Sequence, residues 1–221
     1  MKYLEAYYTA VRIVSTQGVK GVTEDGEDVL TLDTPLTLCI DSPTQRTVFP
    51  YGMGESSAAV YAYQMLNPVR DNNPLVKFSY TYGMRLREFV GVDQLQAIVD
   101  RLTASKSSRR AVVSFYNPVT DHDTDEVPCM NHLQMRLVNR GGFDYLDCYV
   151  VFRSHDILSA WFFNVYGIIA IMEKVRSKLP SAPGMGKLYV TSNIPHIYYT
   201  RDADVLDRVT KEMKVRGYYN E

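Results

Sequence analysis

From residue 155 to residue 178 the chain reads HDILSAWFFNVYGIIAIMEKVRSK, a segment whose middle is apolar on every side of a helix. Such a helix has no face to give to water, so it belongs at the centre of the molecule with other elements wrapped around it. It does not read as a membrane span, because no apolar stretch here approaches the roughly 20 residues that cross a bilayer. A chain of 221 residues can build one domain, residues 1–221, around such a helix without disulfide or metal staples. Formal net charge is -1, which argues against general affinity for nucleic acid or an anionic membrane surface. Any anion bound here has to be held by a few focused residues.

The three cysteines, Cys39, Cys129 and Cys148, form neither a CxxC pair nor a metal-ligand spacing. An odd count without a framework points to a reducing compartment, and no metal site is expected. The N-terminal MKYLEAYYTAVRIVSTQG spaces Leu4, Tyr7, Tyr8, Val11 and Val14 as a helix does, where a signal peptide would carry a continuous apolar run. A cytoplasmic location is the expectation.

That N-terminal helix should end at Gly18. Residues 29–40 read as extended and interrupted at Pro35, and Ser56–Leu66 as a helix stopped by Asn67 and Pro68. Asp93 caps a short helix with Leu95, Ile98, Val99 and Leu102 on one face. Strand-like runs follow at 110–116, 132–138 and 144–152, the last two joined by a turn at Gly141-Gly142. Alternation along 144–153 puts Leu146, Cys148, Val150 and Phe152 in the core and Tyr145, Asp147, Tyr149, Val151 and Arg153 on the opposite face. The central helix is expected from about His155 to Lys178, a strand at 187–192 and a last amphipathic helix at 202–214. Strands and helices mixed without a βαβ rhythm give an α+β fold, a mixed sheet packed against a long central helix.

Cys129 sits between the polar loop TDHDTDE and a strand. A cysteine there is either a small buried hydrophobe or a nucleophile, and a nucleophile needs cations or donors to favour the thiolate. Arginines stand at strand ends: Arg109 and Arg110 begin one, and Arg153 ends another just before Ser154. Arginine followed by serine at a strand-to-helix junction is either a solvated strand end with a helix cap or a phosphate grip, guanidinium and hydroxyl donating together. Asn164 interrupts the apolar helix, and a buried amide must be paired. It is either a helix–helix hydrogen bond or a reader of the adjacent donor and acceptor of a uracil edge. His196 and Tyr198 point the same way by alternation and could both reach a ribose hydroxyl.

The order and spacing of these residues resemble thymidylate synthases and the related deoxypyrimidine hydroxymethylases. The motifs are YTYGMRL at 80–86, SRR at 108–110, PC at 128–129 with Gln134 five residues past the cysteine, RSHD at 153–156, Asn164 eleven past Arg153, and HIY at 196–198. The wording EVPC and RSHD looks most like the compact archaeal-type thymidylate synthases. The resemblance implies that Cys129 adds to C6 of a deoxypyrimidine monophosphate, making C5 the carbon nucleophile toward a methylene carrier. That carrier would be methylene-tetrahydrofolate or methylene-tetrahydromethanopterin. It implies Arg153 on thiolate and phosphate, Ser154 on phosphate, Gln134 beside the nucleotide, and Asn164 on the uracil edge. His196 and Tyr198 would hold the 3′-hydroxyl, Asp156 the pterin ring, and Tyr82 would join the proton network at C5. Arg109 and Arg110 would reach into a partner's site, so a sheet-mediated homodimer is implied.

The chain departs from the family pattern at several points. Met130 stands for the histidine after the nucleophile, Ile194 for the aspartate before the ribose-binding histidine, and Phe152 for the glutamine before Arg153. Lys20 and Arg46 are the candidates for an N-terminal phosphate-binding cation, and Glu55 begins the helix expected to supply a glutamate. Water exclusion decides whether the one-carbon adduct is reduced by hydride or captured by water. Methylation of dUMP to dTMP is therefore the first expectation, hydroxymethylation of dUMP or dCMP the second, and a non-catalytic nucleotide-binding homologue the third.

Overall fold

A computed structural model describes residues 1–69 and 80–218. In chain order the elements are α1 (Tyr3–Gln17), β1 (Val19–Val22), β2 (Asp28–Thr31), β3 (Leu36–Ile40), α2 (Glu55–Leu66), α3 (Tyr82–Arg87), α4 (Gln94–Ala104) and β4 (Val112–Ser114). There follow α5 (Pro118–Asp121), β5 (Met130–Arg140), β6 (Phe143–Phe152), β7 (His155–Asp156), α6 (Trp161–Lys178), β8 (Gly184–Ser192), β9 (Pro195–Ile197) and α7 (Ala203–Val215). The fold is α+β, with a five-stranded sheet in the order β3-β8-β6-β5-β4 and a smaller one in the order β1-β2-β9-β7. The larger sheet is mixed, because β6 and β8 run parallel while its other pairs are antiparallel.

The β5–β6 hairpin turns at Gly141 and Gly142, whose φ values of 60° and 88° lie in the left-handed region that a side chain resists. As the alternation requires, Leu146, Cys148, Val150 and Phe152 are all buried and meet α6 in the core. Asp147, on the opposite face, is buried as well, held by a two-pronged ion pair from Arg140 and by the Lys187 amide. Near its start β5 slips register between Met130 and His132, a bulge that re-aims the residues beside Cys129.

The central helix is shorter than its apolar run. It begins at Trp161, and residues 155–156 are instead the strand β7, parallel to β9. The His155 amide donates to the Ile194 carbonyl at 3.0 Å and the Ile157 amide to His196 at 2.9 Å. Those tertiary bonds outcompete helix continuation. Arg153 and Ser154 therefore lie at a strand-to-strand turn, away from the helix N-terminus, and His155–Asp156 is not a first helical turn.

Gly167 lets α2 lie directly on α6, for a Cβ there would stand 2.1 Å from Met65 Sδ. One turn back along both helices, Tyr61 of α2 meets Asn164 of α6. Gly83 does the same for α3, since a Cβ would come within 1.9 Å of the Asn67 carbonyl oxygen at the end of α2. These two close approaches bring Tyr61, Tyr82 and Asn164 toward the start of β5.

Candidate active site

Cys129 is half-buried at the start of β5 and packs against the core. Its carbonyl accepts from the Arg153 amide at 2.8 Å, so the cysteine and the β6–β7 turn are stitched together. The Arg153 guanidinium reinforces this, Nε donating to Pro128 O at 3.1 Å and Nη2 to Val127 O at 2.7 Å. Two of its five N–H groups are used that way, which leaves three for a ligand. Ser154 follows in the same turn, half-buried, and its hydroxyl takes no protein partner among the described residues. Burial pushes the Cys129 thiol above the usual cysteine range, Arg153 pulls it back, and Asp156 adds to the rise.

Around this sulfur stand phenols. The Tyr82 hydroxyl accepts from the Met130 amide at 3.0 Å, and its ring meets Tyr80 and Phe115 edge-on. Burial raises Tyr82 well above the usual tyrosine value, with Tyr61, Tyr80 and Cys129 contributing, and pushes Tyr80 up to about 12. Both are neutral hydroxyls that donate or accept without ionising. A Cys129 thiolate also raises Tyr61 and Tyr198, so both phenols lie within electrostatic reach of the sulfur.

Asn164 is buried and paired at both ends. Its Nδ2 donates to the Tyr61 hydroxyl, and its Oδ1 lies 3.1 Å from His155 Nε2. The other imidazole nitrogen, Nδ1, lies 2.8 Å from Ser192 Oγ. Asp156 is held by the Ser159 amide at 2.9 Å on one oxygen and by Arg201 at 2.9 Å on the other. His196 donates from Nδ1 to the Ile194 carbonyl at 3.1 Å and meets the Tyr198 ring edge-on at 5.0 Å, while Arg201 stacks over that ring at 4.0 Å. Burial lowers the His196 pKa, leaving a neutral ring whose Nε2 accepts.

Three of the expected residues lie elsewhere. Gln134 donates from Nε2 to the Arg109 carbonyl at 2.7 Å. At about 3.4 Å per residue, five residues of β5 separate it from Cys129 by roughly 17 Å. Arg109 and Arg110 are exposed beside β4, lining a shallow depression with Asp100 and Arg101 of α4. Lys20 lies over the Tyr199 ring at 5.2 Å, and Arg46 and Glu55 are exposed. Among the described residues no group of three or more His, Cys, Asp or Glu is placed to hold a metal ion, and no helix is long and apolar enough to cross a membrane.

A family model described as thymidylate synthase matches residues 61–217, a span that takes in Tyr61, Cys129, Arg153, Asn164 and His196. The chain belongs to the thymidylate synthase family. Relatives named "Putative thymidylate synthase" include one from Methanosarcina barkeri, 29% identical over 208 residues, covering 94% of this chain and 91% of the relative. Another, from Methanopyrus kandleri, is 33% identical over 148 residues, 67% of this chain and 66% of the relative. A third, from Methanothermobacter marburgensis, is 39% identical over 121 residues, 55% of this chain and 52% of the relative.

Within this thymidylate synthase fold, Tyr61 and Ser192 were not singled out from the sequence, and His155 stood there only as part of the RSHD motif. Ser192 carried a signal, because it closes the buried stripe Leu188, Val190, Ser192 with a hydroxyl that must find a partner. Tyr61 carried none, since its contact with Asn164 depends on the helix approach at Gly167.

Proposed function

We propose that the chain methylates dUMP to dTMP, with Cys129 as the nucleophile. The observation that carries this reading is a half-buried cysteine whose carbonyl is tied to the Arg153 amide, whose neighbouring Met130 amide is tied to the Tyr82 hydroxyl, and whose thiol feels Arg153 as the opposing charge. The Cys129 thiolate adds to C6, and the electron pair displaced from the C5–C6 double bond makes C5 nucleophilic. The three spare N–H groups of Arg153, with the Ser154 hydroxyl, suit a phosphate dianion. Asn164 reads the uracil edge, and His196 Nε2 with the Tyr198 hydroxyl holds the 3′-hydroxyl. Tyr82 orders water at C5 through a phenol that stays protonated.

A reduced pterin carrier, methylene-tetrahydrofolate or its methanopterin counterpart, supplies the carbon and the hydride. Asp156 fits it: each carboxylate oxygen makes one bond in the structure and keeps a lone pair for a pterin N–H. Arg109 and Arg110 serve the partner's site in a homodimer, which accounts for their distance from Cys129 in the single chain.

Incubation with dUMP and each carrier, followed by mass spectrometry of the nucleotide, tests the reading. A methylated product that Cys129→Ser abolishes is expected. A hydroxymethyl product would replace reduction by water capture, and an unchanged dUMP pool with both carriers would overturn the assignment.

A further inference from the structure

The pair formed by Asn164 and Tyr61 is one end of a longer buried chain. Ser192, His155 and Asn164 are 1%, 2% and 7% exposed, so none of their polar atoms can turn to bulk water for a substitute. His155 is fixed from every side. Phe152 stacks on its ring at 3.8 Å and 17°, its amide is tied to Ile194, Nδ1 faces Ser192, and Nε2 faces Asn164. Burial keeps the imidazole neutral, its pKa lowered to about 3, so it carries one N–H.

The donor inventory then sets the direction of every bond. Asn164 Oδ1 has no proton, so His155 Nε2 must carry the hydrogen between them. Nδ1 is left bare and accepts from the Ser192 hydroxyl. Asn164 Nδ2 can only donate, so the Tyr61 oxygen accepts from it. The Tyr61 proton and the second Nδ2 hydrogen of Asn164 are then the donors in the series with no acceptor among the described residues, and no bare acceptor stands beside them but the free lone pair of Asn164 Oδ1.

The geometry points to a one-directional chain, Ser192 to His155 to Asn164 to Tyr61, in which His155 is the positioning residue that fixes the Asn164 amide and Tyr61 is left to donate its hydroxyl proton to a 4-oxo pyrimidine in preference to a 4-amino one. Uracil offers an acceptor at O4 and a donor at N3; O4 matches the Tyr61 proton and the spare Nδ2 hydrogen of Asn164, and N3 matches the remaining lone pair of Asn164 Oδ1. Cytosine offers the reverse at both positions. A site committed to one polarity rejects the other because its own buried groups go unpaired. Reversing the His155 tautomer would turn the Asn164 amide over and leave Tyr61 as an acceptor. The residue that sets substrate polarity therefore never touches the substrate. This inference rests on the nucleotide reading above, but its first half is testable without it.

Nitrogen-15 NMR of the His155 imidazole in the unaltered protein should show Nε2 protonated and Nδ1 bare, unchanged between about pH 5 and about pH 8. A ring protonated at Nδ1 would overturn the chain. The second readout is the ratio of kcat/KM for tritium release from C5 of labelled dUMP and dCMP. Tyr61→Phe and Ser192→Ala should each narrow the dUMP preference by about tenfold or more. Folded variants that keep the wild-type ratio would overturn the selectivity role. Should either variant fail to fold, the tautomer still decides. Wild-type protein that binds neither nucleotide while holding the Nε2–H tautomer would overturn the nucleotide reading. Turnover of dUMP with an Nδ1–H ring would overturn only the chain.

Discussion

At the residue scale, Cys129 and His155 show burial acting oppositely on an acid and a base. For Cys129, burial favours the neutral thiol and Arg153 is the opposing charge. Alkylation by iodoacetamide, followed by mass spectrometry, should therefore be slow at neutral pH and should accelerate only above the usual cysteine range. Arg153→Ala should move that rise to still higher pH, and an unmoved profile would show that the guanidinium does not act on the sulfur. For His155, burial disfavours the imidazolium, the Asn164 bond opposes that, and His196 adds to it, giving about 3 in place of 6.5. The unfolded chain takes up a proton below about 6.5 that the native chain refuses until about 3. The unfolded state thus binds more protons in this window, and stability falls as pH falls through it. One such group costs up to about 1.4 kcal/mol per pH unit. Buried His196 and half-buried His132 are also lowered and act in the same direction. Urea midpoints should drop steadily on acidification from neutrality, and His155→Asn should flatten the slope. A wild-type midpoint constant down to about pH 4 would contradict the buried neutral imidazole.

At the scale of elements, the tyrosine-bearing start of α3 is anchored by Arg85, which grips Asp121 of α5 through two bonds of 2.9 and 2.7 Å. Asp121 is buried and also accepts from the Asn117 amide and the Thr120 hydroxyl. The Arg85 guanidinium lies over the Tyr80 and Phe89 rings as well, at 5.0 and 4.4 Å. Arg85→Ala would strand a buried carboxylate and should cost about 3–5 kcal/mol in denaturant unfolding. Lysine should not rescue it, because one ammonium cannot match two carboxylate oxygens in a fork. A loss below about 1 kcal/mol would mean that water reaches the pair. Some elements were legible in the sequence because their signals are local. Helices α1, α4 and α6 and the β5–β6 hairpin carry their own period, caps or glycine turn. The short elements α3, β7 and β9 do not, because their conformation comes from partners distant in sequence, as when Ile194 captures the His155 amide. The site divides in the same way. Cys129, Arg153 and Asn164 stood out as polar residues at strand ends or inside an apolar helix. Tyr61 and Ser192 acquire their roles only when α2, α6 and β8 come together.

At the scale of the whole molecule, the larger sheet is covered on one face only among the described residues. Helices α1, α4 and α6 pack against it from the core side, while the other face presents Thr37, Cys39, Arg136, Tyr149, Lys187 and Tyr189, each exposed or half-buried. Tyr149 and Tyr189 stack across β6 and β8 at 4.9 Å and 4°, and Thr37 pairs with Thr191 at 2.9 Å. A sheet of this kind is a template for a second copy packed face to face, and a two-fold axis would repeat every contact. Such a dimer would carry Arg109 and Arg110 out of their own subunit's site and toward the other. The consequence is measurable by mixing two inactive variants. Arg110→Ala keeps the nucleophile and lacks its cation; Cys129→Ser keeps the cation and lacks the nucleophile. Random reassortment makes half the dimers mixed, each with one intact site of two, so roughly a quarter of wild-type activity should return. Mixed dimers that form, as tagged co-purification would show, yet stay inactive would place each arginine pair in the service of its own subunit. A protein that sediments as a monomer while turning over dUMP would remove the shared site altogether, and the exposed arginines would then need another anion to explain them.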